Sequence, residues 1–146
     1  MSEQEIIDQA LAILANRLTR SEIRVSEPRY ASDYLKLKYS ELEYESFNVM
    51  FLNNNHELIR LKEMFRGTID GAAVYPREVV KAALEFNAAA VIFSHNHPSG
   101  NCNPSQADKR ITQRLQEALQ LIDVRVLDHI IVGGCSSYSF AEHGLV

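Results

Sequence analysis

The chain has 146 residues, 46% of them hydrophobic, enough for one sizeable core and too few for two ordinary domains. Its formal net charge is −4 with a pI near 5.7, which argues against the basic footprint of a nucleic-acid binder. No apolar run reaches the eighteen or so residues of a membrane span, the start Met1-Ser2-Glu3-Gln4-Glu5 is no signal peptide, and two Cys make no disulfide framework, so cytoplasmic residence is expected.

In chain order, Ile6, Ile7, Ala10, Leu11, Ile13, Leu14 and Leu18 predict an amphipathic N-terminal helix, serving either as a packing element or as a homodimer contact. A polar linker containing Ser26-Glu27-Pro28 follows, then a short helix over Ser32 to Tyr39. The organisation read from this is a helical segment and linker over 1–34 and one α/β domain over 35–146. Phe47, Val49 and Phe51 alternate with Asn48, Met50 and Leu52 as in a strand. Glu45 shares the parity of the aromatic face and continues it inward; Glu43 and Glu41 lie further out. Asn53-Asn54-Asn55 marks a turn tolerant of positive φ, with His56 to Phe65 as the hairpin partner and His56 as an exposed turn residue. Pro76 opens a helix to about Phe86 that buries Val79, Val80, Ala83 and Phe86.

Ala88 to Phe93 is a short apolar run suited to a buried central strand, and His95-Asn96-His97 stands at its end, before the breakers Pro98, Ser99 and Gly100. On extended backbone, residues two apart share a face, so both imidazoles can reach one ion. The next helix, about Ser105 to Ile122, carries the stripe Ile111, Leu115, Ala118, Leu119 and Ile122. Asp108 lies on the line of that stripe. An inward carboxylate needs a partner, and a divalent cation held by His95 and His97 would supply one. Two imidazoles and one carboxylate, with a fourth position open to water, form the ligand set of a catalytic zinc (Zn2+) site, though iron, nickel or manganese would accept the same donors. The plain alternative is that Ser105 and Asp108 only cap a helix N-terminus. Cys102 reads as a spectator thiol, because the ligand set is complete without it. Strands are expected at Val124 to Val132 and around Tyr138 to Phe140, separated by Gly133-Gly134. Asp128 and His129 read as a strand-end hydrogen-bonded pair outside the site, and His143 has no assigned role.

His-x-His, seven residues, Ser, two residues, Asp resembles the JAMM motif of the JAB/MPN metalloproteins. Phe65-Arg66-Gly67-Thr68, Tyr75-Pro76-Arg77-Glu78, Ser94 to Gly100, Asp128 to Gly133 and Ser139 to Gly144 resemble the RadC-type branch from about Leu35 onward. The resemblance implies a cytidine-deaminase-like α/β fold, a mixed sheet flanked by helices in a single domain, with zinc on His95, His97 and Asp108. It also implies a water-activating Glu on an earlier strand, matched by Glu45, and a Ser, matched by Ser105, that holds the water or the oxyanion. The reaction class is hydrolysis of an amide, peptide or isopeptide bond in an unidentified peptide or protein substrate. Longer RadC-type proteins carry a helix-hairpin-helix region before this domain, and the sequence before residue 35 is too short to hold one.

Other zinc chemistries lack their residues here. A nucleobase deaminase needs His-x-Glu and Pro-Cys-x-x-Cys, and neither Cys102 nor Cys135 has a partner two residues away; the His-Glu-x-x-His of thermolysin-like proteases is absent. The alternative from another functional class is a non-enzymatic factor associated with DNA repair, its metal site structural or vestigial. Lys109, Arg110 and Arg114 are the only local cationic patch offered for that role, and the overall charge does not support it.

Overall fold

The computed structural model describes residues 1–19, 28–40, 42–67 and 74–146. Ser26, Glu27, Glu41 and Thr68, used in the sequence reading, lie outside the described residues. Five strands form one mixed sheet: β1 (Ser46–Leu52), β2 (Leu58–Arg66), β3 (Ala90–Asn96), β4 (Arg125–Gly133) and β5 (Ser136–Ser139), in the order β2-β1-β3-β4-β5. β3 and β4 are parallel and every other pair is antiparallel. The parallel pair needs a crossover. Helix α4 (Gln106–Gln120) provides it, and so the chain that leaves β3 at the His pair enters that helix after a short loop.

β1 and β3 are buried on both faces, which accounts for their nearly continuous apolar sequences. On one face Phe47, Val49, Phe51, Val91 and Phe93 pack with Val79 and Ala83 of α3 (Pro76–Glu85) and with Ile111, Leu115 and Leu119 of α4. On the other, Met50, Leu52, Ala90, Ile92, Ile130 and Val132 pack with Ala31, Tyr34, Leu35 and Tyr39 of α2 (Pro28–Tyr39). The result is a helix-sheet-helix sandwich, the mixed α/β architecture that the resemblance implies. Helix α1 (Glu3–Thr19) lays Leu11, Leu14 and Ala15 against the second core, while Ile6 and Ile13 on its outer side stay 54% and 55% exposed. Among the described residues no helix is long and apolar enough to cross a membrane.

Three local expectations shift. α2 begins at Pro28, four residues before the expected Ser32, because proline suits a first helical turn, where its missing N–H is not needed. At the hairpin, the Asn53 side chain accepts from the N–H groups of Asn55 and Glu57, so the left-handed residue is His56 (φ 61°) and no Asn of the triplet takes it. β2 therefore starts at Leu58, and His56 is half-buried with its ring 3.3 Å from the Arg125 guanidinium.

Leu115, fully buried at the centre of α4, and Leu121, 87% exposed just beyond it, give a matched pair. Leu115→Ala should cost about 2–5 kcal/mol in urea unfolding, whereas Leu121→Ala should stay within about 0.5 kcal/mol.

Candidate metal centre

The antiparallel register of β1 on β3 sets Phe47 opposite His95. Val91, Phe93 and His95 therefore share the sheet face that α4 covers, and His95 is completely buried there. His97 follows the strand's last residue, its N–H bonded to Val132 O at 2.8 Å, and keeps part of its ring open to solvent. Asp108 stands on the first turn of α4 with its side chain only 4% exposed.

His95 Nε2 and His97 Nε2 are 3.0 Å apart, His95 Nε2 is 3.2 Å from Asp108 Oδ1, and His97 Nε2 is 3.2 Å from Asp108 Oδ2. Tetrahedral ligands about 2.0–2.1 Å from a zinc ion stand about 3.3 Å from one another, so the separations match such a set. The chemistry of the donors agrees. His97 Nδ1 lies 2.7 Å from Asn101 O, which can only accept, so Nδ1 carries the hydrogen and Nε2 presents a lone pair. That lone pair and an ionised Asp108 face the same point as His95 Nε2. Such a cluster requires positive charge in its midst, a proton or a cation. The three residues are thus placed as a metal site, with Cys102 outside the cluster.

Protonation behaviour expresses the same demand. Burial by itself would push the Asp108 carboxyl up, but the positive charge that a proton shared with the His95 and His97 rings brings to it overcomes this and holds the group far below the usual carboxylate range. The hydrogen bond to Asp108 raises His97 above its ordinary 6.5 against the opposing effect of burial, and the Glu45 charge adds to the rise. Glu45 therefore lies within electrostatic reach of His97. Continuing the β1–β3 register two residues beyond Phe47↔His95 would set it opposite that residue. The backbone around it is fixed on both sides: Asn96 Oδ1 accepts from Ser46 N at 2.7 Å, Asn96 Nδ2 donates to Tyr44 O at 2.9 Å, and Glu45 O accepts from Gly67 N at 2.7 Å. The central residue of His-Asn-His, facing away from the ligand cluster, holds the segment that carries Glu45.

Ser105 caps α4 in a reciprocal capping box: Asp108 N donates to Ser105 Oγ at 3.0 Å and Ser105 N donates to Asp108 Oδ2 at 2.8 Å. The capping and ligand readings of this pair hold together, since one carboxylate serves both. Ser105 itself is exposed, and accepting from Asp108 N leaves its O–H to donate elsewhere. Gly133 permits the loop between His97 and α4 to lie against the end of β4, because a Cβ there would meet Cys102 N at 2.7 Å and Gly100 O at 2.8 Å.

His129 sits differently from its sequence reading. Its backbone N–H does bond Asp128 Oδ1 at 2.7 Å, and Asp128 turns away to hold Ser139 and Ala141. The ring, however, is wholly buried on the ligand face, with Nε2 2.7 Å from His95 Nδ1 and with Nδ1 on the Thr112 hydroxyl. The signal available in the sequence was parity across parallel strands, for Phe93 and His129 are register partners. Thr112, four residues after Asp108 and hence on its helix face, was also missed. His143 stacks on Tyr138 at 4.0 Å and is structural.

A family model described as the RadC-like JAB domain matches residues 25–145. The chain belongs to that family. It is 56% identical over 142 residues to a UPF0758 protein of Vibrio cholerae, covering 97% of this chain and 89% of that protein. UPF0758 protein YfjY of Escherichia coli K12 is 52% identical over 146 residues, covering 100% of this chain and 91% of the relative. A UPF0758 protein of Pseudoalteromonas translucida is 52% identical over 143 residues, and there the aligned part is 98% of this chain but 63% of the relative.

In this RadC-like JAB domain the two perturbed imidazoles act on stability with opposite sign. Burial holds His129 well below 6.5, so the unfolded chain takes up its proton first as pH falls, and stability is lost on the acid side. His97 is raised, so its contribution is full below 6.5 and is lost as pH rises through the folded value. Urea midpoints of metal-free protein should therefore peak near pH 6.5. Excess Zn2+ should remove the alkaline decline by taking the place of the His97 proton.

Proposed function

We propose that this RadC-like JAB domain is a zinc-dependent hydrolase of the JAMM type that cleaves an amide, peptide or isopeptide bond. The observation that carries the reading is the convergence of His95 Nε2, His97 Nε2 and both Asp108 oxygens within 3.0–3.2 Å at a point bordered by solvent on the His97 side. Three protein ligands with room for a fourth are the arrangement of catalytic zinc, whereas structural zinc fills all four positions with protein. Bound there, zinc would supply Lewis acidity and draw the pKa of a coordinated water towards about 7.

The remaining work falls to the chain's own residues. Glu45, whose charge is felt at His97, accepts the proton of the attacking water and returns it to the leaving nitrogen as the bond breaks. Ser105, its oxygen held by Asp108 N, directs its O–H at the carbonyl oxygen as charge develops there. Capping also orients Asp108, because one of its oxygens is fixed by Ser105 N. The side of His97 that stays open to solvent is where the substrate carbonyl would approach.

Purified protein should contain about one zinc per chain, and His95→Ala, His97→Ala and Asp108→Ala should each lower zinc affinity sharply. A screen over peptide, isopeptide and DNA substrates identifies the bond cleaved. On a cleaved substrate, Glu45→Gln should retain zinc and lose about a hundredfold or more in turnover. Zinc loss in that variant would make Glu45 a ligand, and unchanged turnover would place the base elsewhere.

A further inference from the structure

The hydrogen-bond loop behind the ligands closes on itself. Thr112 Oγ1 lies 2.8 Å from the main-chain oxygen of Asp108 and also contacts His129 Nδ1; His129 Nε2 lies 2.7 Å from His95 Nδ1. A hydroxyl has one hydrogen and a carbonyl oxygen can only accept. The Thr112 hydrogen is therefore committed to Asp108 O, because the reverse arrangement would bury two oxygen lone pairs against each other at 2.8 Å. Towards His129 the hydroxyl must then accept, which puts the hydrogen of His129 on Nδ1. Its Nε2 is left as a lone pair, and the buried contact with His95 is satisfied only if His95 Nδ1 carries a hydrogen. That leaves His95 Nε2 free of a fixed proton and aimed at His97 and Asp108.

We infer that His129 and Thr112 are positioning residues: together they lock His95 in its metal-ligating tautomer and tie that ring to the backbone of a second ligand, Asp108. The inference rests on the proposed metal site for its consequence, although the tautomers themselves are a property of the metal-free chain. His129 is suited to the task. It is wholly buried, stacks on Phe140 at 4.5 Å and meets Phe47 edge-on, so its ring cannot turn over without displacing the core. Ligating imidazoles usually give their second N–H to a carboxylate, a main-chain carbonyl or water; here a buried imidazole ring takes that place. Asp108 thus remains the one carboxylate of the cluster.

Nitrogen-15 spectra of the side-chain imidazoles, recorded on the full chain without metal and with Zn2+, should show His129 protonated at Nδ1 and bare at Nε2 in both states. Thr112→Val keeps the shape but removes the acceptor for His129 Nδ1–H. It should move His129 towards the Nε2–H tautomer and weaken Zn2+ binding, measured by competition with a chromophoric chelator, about 10–100-fold. Thr112→Ser should restore both readings. A purely packing role would lower the urea midpoint in Thr112→Val with the tautomer and zinc affinity unchanged, and that result, or an Nε2–H tautomer in the wild type, overturns the inference. His95→Ala serves as the separate control: zinc affinity unaffected by it would sink the metal-site reading, while the tautomer measurement would still decide this one.

Discussion

Asp108 is the buried charge around which this end of the molecule is built. Its carboxylate, 4% exposed, is reached by both imidazoles and by Ser105 N, its N–H by Ser105 Oγ, and its main-chain oxygen by Thr112. An isolated carboxylate in that position would be protonated or expelled. Each partner comes from a different place: the imidazoles from the end of β3, the Ser from the cap of α4, the Thr one turn along the same helix. Removing the cluster's positive charge leaves several lone pairs facing one another, so a proton or a cation is a structural requirement of the packing as well as a means to chemistry.

The sheet divides along its length accordingly. Ala90 to Phe93 of β3 serve the two apolar cores, whereas Ser94, His95 and Asn96 are buried and polar, and every one of them is hydrogen-bonded. The face opposite the ligands holds a second polar group, in which Tyr39 OH meets Ser94 Oγ and Asn48 Nδ2, and Asn48 in turn reaches Ser46 Oγ. Burial pushes the Tyr39 hydroxyl well above its ordinary range, so it stays neutral. Fully satisfied networks of this kind specify geometry more sharply than apolar packing does. Here they hold the start of β1 against the end of β3, beside the segment that carries Glu45.

Much of this was legible in the sequence, and the parts that were not share a cause. His95, His97 and Asp108 could be found because the period of a strand and the stripe of a helix each determine direction from local spacing alone. Glu45 was read from parity with Phe47, and the structure shows its charge reaching His97. Thr112 and His129 touch across elements, and that contact depends on the register of β4 against β3, which slips between Val91 and Ile92. A shift of one residue would have sent His129 to the other face. Asn96 escaped for a related reason: between two ligands it reads as a spacer, and only the closed β1–β3 pairing brings its amide to Tyr44 and Ser46. The left-handed conformation at His56 depended on which Asn side chain captured the neighbouring N–H groups, a choice that composition does not reveal.

An imidazole behind His95, in place of a carboxylate, changes what the ligand cluster can do. A carboxylate behind His95 would draw its Nδ1 hydrogen towards a full negative charge and make Nε2 a stronger donor. His129 is neutral and its own hydrogen is passed on to Thr112, so it orients His95 while adding no charge. With two neutral imidazoles and one carboxylate, a bound divalent cation would keep a net positive charge of about one unit, undiminished from behind. That favours polarisation of water and of a carbonyl over tight neutralisation of the ion. In the proposed hydrolase, the flank of His97 that is open to solvent, where the Glu45 charge is also felt, would be the side that receives a substrate carbonyl.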